Sequence, residues 1–539
     1  MSKTLKIFVV LITNILFNLI TTTNMAYAQS QTHNSKSLMS FEKSKKEELL
    51  FKIRDVEIIG NTVYSDTQLK QLIGKKYLNK QISLETLLKI RTEISNFYIN
   101  QGYISSGAFI PPQHFKNDGK LVIRVVEGKI NKIQFNKKLF ISEKYLRNHL
   151  PISGDIFNIN ELKTTLLKLS RNSVINKINV DIAQPRIASV NLYLNIIENP
   201  RFTSNLALSN SYAKNIGSEG VNLHLNYHLL GYSDLLSFNI TKTAGLAQYT
   251  ALYSFPINNE NTNFQFGYTH ANSKLVNEEL KDLNIQSNFN SYSFSIEQPI
   301  LDGNNQLNFK IGLNLLDSES FVLKDLSFSF VEGVEDGKNK ISEIFLQQQL
   351  ISKSGNNLLN LNSVISGGLN IFNPTITKEK RDGIYLTWEL TAENIHKFNN
   401  QFLLVNSIKL QLTPDQLLPS KQFTIGGQDS VRGYNKNLFA GDNGITVSNE
   451  IKFSIFSQDN HHLELIGFLE GGTVWNNNLN EKQYSDILST GIGIEYTLKN
   501  FLYLRADYGI PLINNKSEAP DNNNQNINIL LLVSSKNEN

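Results

Sequence analysis

No cysteine occurs anywhere in the 539 residues. That removes thiolate nucleophiles, thiolate metal sites and disulfides, and it fits an exported bacterial protein that needs no covalent staple. Charge of one sign is also missing. Lys and Arg number 52 against 48 Asp and Glu, a net charge of +4, so no nucleic acid or other polyanion partner is implied. No internal stretch reaches the roughly 18 apolar residues of a membrane helix. Neither G-x-S-x-G nor H-E-x-x-H is present, and no catalytic, cofactor-binding or metal-binding residue is assigned. The pair His461-His462 reads as a solvated strand end rather than a metal site. What remains is rich in Asn, Ser, Tyr and Phe, with only 12 Pro, and too long for one ordinary domain.

The N-terminus carries an address. Lys3 and Lys6 precede an apolar run, Ile7–Ile20, interrupted by Thr13, Asn14 and Asn18, and Ala26-Tyr27-Ala28 forms a small-x-small site. This predicts a secretory signal peptide over residues 1–28, the alternative being a membrane anchor. Residues 29–50 then form a linker. Within it Glu42–Leu50, with Glu42 and Lys46 at i,i+4, is read either as a short helix or as disordered.

Two similar units follow. In residues 51–128, Ile53–Ile59 reads as a strand, Asp66–Ile73 as a helix stopping near Gly74, and Ser83 as the cap of a longer helix. The apolar positions Leu84, Leu87, Leu88, Ile94 and Tyr98 give that helix one buried stripe. Tyr103–Ile110 and Leu121–Val126 close the unit. In residues 129–199, Ile130–Phe135 is a strand, Ser142–Leu150 a capped helix, and Leu162, Leu166 and Leu169 mark a second helix. Ile178–Ala183 and Val190–Ile196 form a strand pair. A β-α-α-β-β order given twice is an internal repeat. Such units expose a sheet edge that can take an added strand; the plainer alternative is a spacer.

From Arg201 the texture changes. In Val221–Leu229, Val, Leu, Leu, Tyr and Leu alternate without error with Asn, His, Asn and His. Leu236–Thr241, Phe264–Thr269, Tyr292–Glu297, Leu307–Leu315 and Ile384–Leu390 do the same, separated by turns such as Asp302-Gly303-Asn304-Asn305. Period-two alternation repeated in this way predicts a transmembrane β-barrel of about 16 antiparallel strands over residues 200–539. Closing the sheet satisfies every backbone group, as the bilayer demands. A soluble sandwich or propeller would need a second apolar set to fill its core.

One long stretch breaks this pattern. Residues 414–441 lack alternation, and within them FTIGGQDSVRGY (Phe423–Tyr434) carries a single cation, Arg432. Each arm of about fourteen residues spans roughly 45 Å when extended, more than the ~30 Å hydrocarbon core, so the tip can lie deep in the barrel. Strand phase supplies its partner. In Leu463–Gly472, Leu463, Leu465 and Leu469 share the lipid face and Glu464, Phe468 and Glu470 the lumen. The same count turns Glu450, Lys452, Glu495, Arg505 and Asp507 inward. Residue phase alone leaves Glu470, Glu450 and Glu495 open as partners of Arg432.

Gly426-Gly427 followed by Val431-Arg432-Gly433-Tyr434 resembles the signature loop of the two-partner secretion transporters, the haemolysin secretion/activation proteins. Phe468-Leu469-Glu470-Gly471-Gly472 resembles their second motif, Phe-x-Asp-x-Gly, with Glu in place of Asp. Gly102–Ile110, Pro111-Pro112-Gln113 and Leu121–Gly128 resemble the end of the family's first POTRA domain, and the second repeat matches the second. The resemblance implies an outer-membrane pore whose periplasmic repeats capture an unfolded exoprotein, an adhesin or haemolysin-like toxin, and whose barrel conducts it outward without ATP. It implies Glu470 as the partner of Arg432, a plug helix at Glu42–Leu50, and insertion by the barrel-assembly machinery into outer-membrane lipid. Family barrels usually end in an aromatic residue, whereas the last candidate strand here, Ile527–Val533, is followed by SSKNEN. Two other readings stand beside this one: an insertase that folds other barrels, and a passive porin, which needs no soluble repeats.

Overall fold

The computed structural model describes residues 50–114, 119–135, 138–302, 305–330, 334, 337–377, 381–458, 460–477, 484–513 and 525–535. The expected signal peptide and plug helix lie outside the described residues, except that Leu50 opens a strand. The chain forms two compact units: one runs to Gln101 and adds Ser106–Glu127, and the other holds Gly102–Ser105 and everything from Gly128.

In the first unit Lys120–Val126 is the central strand, parallel to Asp55–Ile59 and antiparallel to Gly107–Phe109. Helices Asp66–Tyr77 and Leu84–Asn100 carry the residues that bury against this sheet, including Leu69, Ile73, Leu87 and Ile90. Ser65 and Gln68 close a reciprocal capping box, and the Ser83 hydroxyl accepts the Thr86 N–H at 3.3 Å. Several expectations change here. Ile53–Ile59 splits at Arg54 into Leu50–Ile53 and Asp55–Ile59. The first helix continues past Gly74, which kinks it at φ 34°, ψ −151°. The buried stripe is Leu87, Ile90, Ile94 and Tyr98, while Leu84 and Leu88 are exposed; the +3, +4, +4 spacing through Ile90 sets the face. Only Gly107–Phe109 of Tyr103–Ile110 is strand. Beyond it Pro111 has no N–H to continue the ladder, and the Gln113 amide takes over, accepting the Val122 N–H and donating to the Val122 carbonyl, both at 2.8 Å.

The second repeat folds as Lys129–Phe135, helices Glu143–His149 and Ile159–Leu169, then Ile175–Arg186 and Ser189–Glu198. Ser189–Glu198 is central, which leaves Ile175–Arg186 as an edge strand. Val190, Leu192, Leu194 and Ile196 on its inner face bury against Leu146, Leu162 and Leu169.

The remaining strands close into a barrel of sixteen long antiparallel strands: β1 Phe202–Ser209, β2 Gly220–Tyr227, β3 Leu235–Thr243, β4 Leu246–Pro256, β5 Asn263–Lys274, β6 Gln286–Asp302, β7 Asn305–Val322, β8 Lys338–Ser354, β9 Asn357–Gly368, β10 Leu386–Lys397, β11 Phe402–Leu412, β12 Asn443–Gln458, β13 His461–Trp475, β14 Tyr484–Leu498, β15 Leu502–Pro511 and β16 Ile527–Ser534. The strand expected over Ile384–Leu390 begins at Leu386. β16 closes on β1 through five register pairs, Leu530↔Ser209 to Ser534↔Asn205. Outward positions are apolar and exposed, as lipid contact requires: Phe238, Tyr249, Ile311, Ile451 and Ile492. In β12 a bulge between Ser454 and Phe456 interrupts the phase, so Ile455 and Phe456 are both exposed.

The second repeat rests on the β2–β3 and β4–β5 turns. The Ser142 N–H donates to the Gly231 carbonyl at 2.9 Å, Tyr145 to the Asn261 side chain at 3.0 Å, and Lys168 pairs with Glu260 at 2.6 Å. The up-and-down order then puts the β11–β12 connection at the opposite end of the barrel.

Candidate functional site: the inserted loop and its seat

The β11–β12 connection folds back into the lumen. It is less patternless than its sequence suggests: Phe423–Ile425 pairs antiparallel with Phe439–Gly441, making a short hairpin inside the barrel. Three-residue strands are too short to show alternation. Ile425, Val431 and Tyr434 bury against Val474 and Ile487 of the β13–β14 wall. The tip turns at Gly426 and Gly427, with φ of 109° and 89°. A side chain on Gly426 would collide with the Asn435 carbonyl oxygen, so the backbone alone fits. The Gly427 N–H donates to the Val431 carbonyl at 3.1 Å, and the Gly426 N–H to the Ser430 hydroxyl at 2.8 Å.

This turn delivers Arg432 into a charged seat where only 2% of it remains exposed. Glu470 takes most of the guanidinium, with Nη2 at 2.5 Å and Nε at 3.1 Å, and also accepts the Arg432 backbone N–H at 2.8 Å. The Ser448 hydroxyl donates to the same carboxylate at 2.8 Å. Glu450 lies 2.7 Å from Nη2, and Asp507 3.1 Å from Nη1. The guanidinium stacks on the Phe468 ring, 3.6 Å from its centroid, a geometry Lys cannot reproduce. Arg505 supplies a second cation, 2.8 Å from both Glu450 and Asp507. Each close pair at ~4 Å contributes about 4 kcal/mol of attraction at an effective dielectric of ~20, before desolvation is subtracted.

Glu450 and Glu470 are therefore brought to Arg432 together. Glu495 is not: it pairs with Lys452 at 2.8 Å and lies 3.7 Å from Arg505. Its register position opposite Glu464 sits several residues farther along β14 from the tip. Asp507 was legible as luminal, but no motif marks it as a partner.

The other motif residues shape the surface on which the loop lies. Gly433, at φ 92°, and Gly509 on β15 touch backbone to backbone: a side chain on Gly509 would meet the Gly433 nitrogen at 2.5 Å. An isolated glycine at a luminal strand position is the signal that points to Gly509. A side chain on Gly472 would meet Ile425 at 3.3 Å. The Tyr434 hydroxyl lies 2.8 Å from the carbonyl oxygens of Leu488 and Ile513.

The root of the loop is held separately. Lys421 pairs with Glu343 on β8 at 2.5 Å, and Glu343 also accepts from Tyr385 at 2.5 Å and Asn314 at 2.9 Å. Leu417 and Leu418 bury beside Ile341 and Tyr385. The buried carboxylate of Asp442 accepts the N–H groups of Leu417 and Asn477, both at 2.9 Å. His461 contacts the Tyr496 hydroxyl at 2.7 Å and His462 the Ser457 hydroxyl at 2.9 Å, both exposed.

Comparison with known proteins agrees with this architecture. The family model for the haemolysin secretion/activation protein ShlB/FhaC/HecB matches residues 192–496, and that for the ShlB-type POTRA domain matches residues 51–128. The outer membrane transporter CdiB of Dickeya dadantii is 21% identical over 472 residues, covering 82% of this chain and 80% of its own. The heme/hemopexin transporter protein HuxB of Haemophilus influenzae is 24% identical over 433 residues, covering 77% and 74%. The solved structure of CdiB from Escherichia coli superposes with a TM-score of 0.70 at 18% identity, covering 92% of this chain and 93% of that one. The chain thus belongs to the ShlB/FhaC/HecB family of haemolysin secretion/activation proteins, the two-partner secretion transporters of the bacterial outer membrane, with its POTRA region in the periplasm.

Proposed function

We propose that residues 51–128 and 129–199 act as two POTRA domains that capture an unfolded exoprotein, an adhesin or haemolysin-like toxin, and that the barrel of residues 200–539 passes it outward. The loop 414–441, held by an Arg432–Glu470 lock with Glu450 and Asp507 in support, shapes the passage. The observation that carries this reading is the seat itself. A barrel built only as an open pore has no need to bury an arginine among three carboxylates at the tip of a folded-back loop. The edge strand Ile175–Arg186 supports the capture step, because an unpaired edge accepts an extended segment through main-chain hydrogen bonds whatever its side chains. Outer-membrane lipid and the barrel-assembly machinery are the remaining partners of this reading. The test is a chain lacking residues 51–199, expressed with an exoprotein of the same genome that bears a two-partner secretion domain. It is expected to conduct ions in a planar bilayer and to export nothing. Export by the truncated chain removes the capture role.

A further inference from the structure

The register of the barrel crowds charge on one side of the lumen and leaves the other nearly free of it. Glu470 faces inward, and the ladder carries its phase around the sheet through Ser448, Ser407 and Glu393 to Asn360. The inward set of β10–β15 includes Glu389, Lys409, Glu450, Lys452, Glu495 and Arg505. The inward set of β3–β6 includes Asn239, Thr250, Gln265, Thr269, Ser291 and Ser293. Among inward strand positions of β3–β6 the one charged residue is Glu297, beside the β4–β5 turn, where it accepts from Gln265 at 2.9 Å and pairs with Lys310 of β7 at 3.2 Å.

The loop lies on the charged side. Its hydrogen bonds and ion pairs among the described residues reach Glu343 on β8, Lys409 on β11, Glu450, Glu470 and Asp507 on β12, β13 and β15, and Ser211 after β1. None of those described reaches β3–β6. The wall left uncovered is thus the one with no charge between its mouth at Glu297 and the far end, and its side chains are only partly used among themselves. Thr250 and Thr269 share one bond of 3.1 Å, Ser295 donates to Gln265 at 3.4 Å, and Ser237 to Asn226 at 2.7 Å. Hydroxyls and amides each both donate and accept, so valences remain free.

We propose that the β3–β6 wall is the track along which an extended polypeptide crosses the barrel, recognised through its main chain. This rests on the transport reading above. An unfolded chain presents one N–H and one C=O per residue irrespective of sequence. A wall of hydroxyls and amides can satisfy both, and its one fixed ion, Glu297 at the end near the β4–β5 turn, is already paired with Lys310 and so is a weak trap for a passing Lys. Gly267, Ser291, Ser293 and Ser295 also keep the surface low, which leaves width for side chains.

The absence of native cysteine makes the test direct. Single cysteines are placed at Thr250→Cys and Ser293→Cys on the track, and at Lys409→Cys and Glu464→Cys across the lumen. The full chain is reconstituted in planar bilayers. The probe is a Gly/Ser/Asn-repeat peptide of about 30 residues with one cysteine, roughly 100 Å long when extended. A small methanethiosulfonate reagent first measures the accessibility of each site. After normalisation to that reagent, disulfide trapping of the peptide is expected to be about tenfold faster on the track, because a bound chain raises its local concentration there. Equal rates on both walls, faster trapping at Lys409→Cys and Glu464→Cys, or no peptide trapping at sites the reagent reaches each overturns the track. Export by the full-length chain is measured separately, so that loss of the track and loss of the transport reading are read from different experiments.

Discussion

Replacing Arg432 by Ala removes the one loop cation that faces three wall carboxylates. Glu470 and Asp507 are 3% and 1% exposed, and after the change only Arg505 remains beside Glu450 and Asp507. Breaking a buried pair by removing one partner costs about 3–5 kcal/mol. The lost stacking on Phe468 belongs to the same seat and is not added. This cost falls on docking of the loop rather than on the barrel, whose sixteen-strand ladder does not pass through Arg432. The docked state should therefore lose on the order of a hundred- to several-thousand-fold in population. Heat-modifiable migration and the level of barrel in outer membranes are expected to stay at wild type, while single-channel conductance becomes larger or noisier and export falls. Wild-type conductance together with wild-type export would refute the reasoning. The exchange Arg432→Glu with Glu470→Arg sharpens the point. A two-residue lock would be restored by it, but here the new loop carboxylate would face Glu450 and Asp507, so little rescue is expected.

Three further outcomes follow from neighbouring geometry. Gly509→Ala drives a methyl into the Gly433 backbone and should mimic Arg432→Ala in conductance while leaving every charge in place; a silent Gly509→Ala would argue against close seating. Lys421→Met strands Glu343 with Tyr385 and Asn314 only, at about 1–3 kcal/mol, and should expose Phe423 and Phe439 to chymotrypsin without altering barrel insertion. Burial alone would raise the Glu127 carboxyl, but hydrogen bonds from the Thr62 hydroxyl, the Val63 and Thr62 N–H groups and the Tyr98 hydroxyl outweigh it and hold it below the usual carboxylate range. The charged form therefore stabilises the first repeat at neutral pH, and that stability is lost as pH falls below the unfolded value of about 4.3 and through the folded one. Glu127→Gln should make limited proteolysis of residues 51–127 less sensitive to acid, at about 1–2 kcal/mol lost at pH 7.

The strands were legible because lipid and water impose opposite demands on alternate residues, so Val221–Tyr227 or Leu463–Gly472 states its own faces. The same rule put Glu470 in the lumen without a motif. It could not choose among luminal carboxylates. That choice depends on how far along the barrel each lies from the loop tip, which is why Glu495 was a candidate and Asp507, 75 residues from Arg432 in sequence, was not. The Phe423–Ile425 and Phe439–Gly441 hairpin escaped notice because its pairing is set by packing on β13 and β14. In the first repeat, Leu84 and Leu88 were drawn into the buried stripe because hydrophobicity alone does not separate a core leucine from an exposed one. Pro111-Pro112-Gln113 entered only through the family resemblance, and nothing in that tripeptide announces that the glutamine side chain stands in for a missing backbone N–H.

The luminal glycines have a consequence for what the barrel becomes when the loop is elsewhere. Gly444, Gly472 and Gly509 leave the β12–β15 wall flat where the loop backbone comes nearest to it, so a departed loop leaves a shallow surface there, beside the apolar side chains of Phe468, Val474 and Ile487. What it does uncover is Glu450, Glu470 and Asp507, with Arg505 the one cation among the described residues still paired to any of them. The groups that fasten the loop at rest would then face open water as an acidic ring segment, and the emptied channel would favour cations over anions.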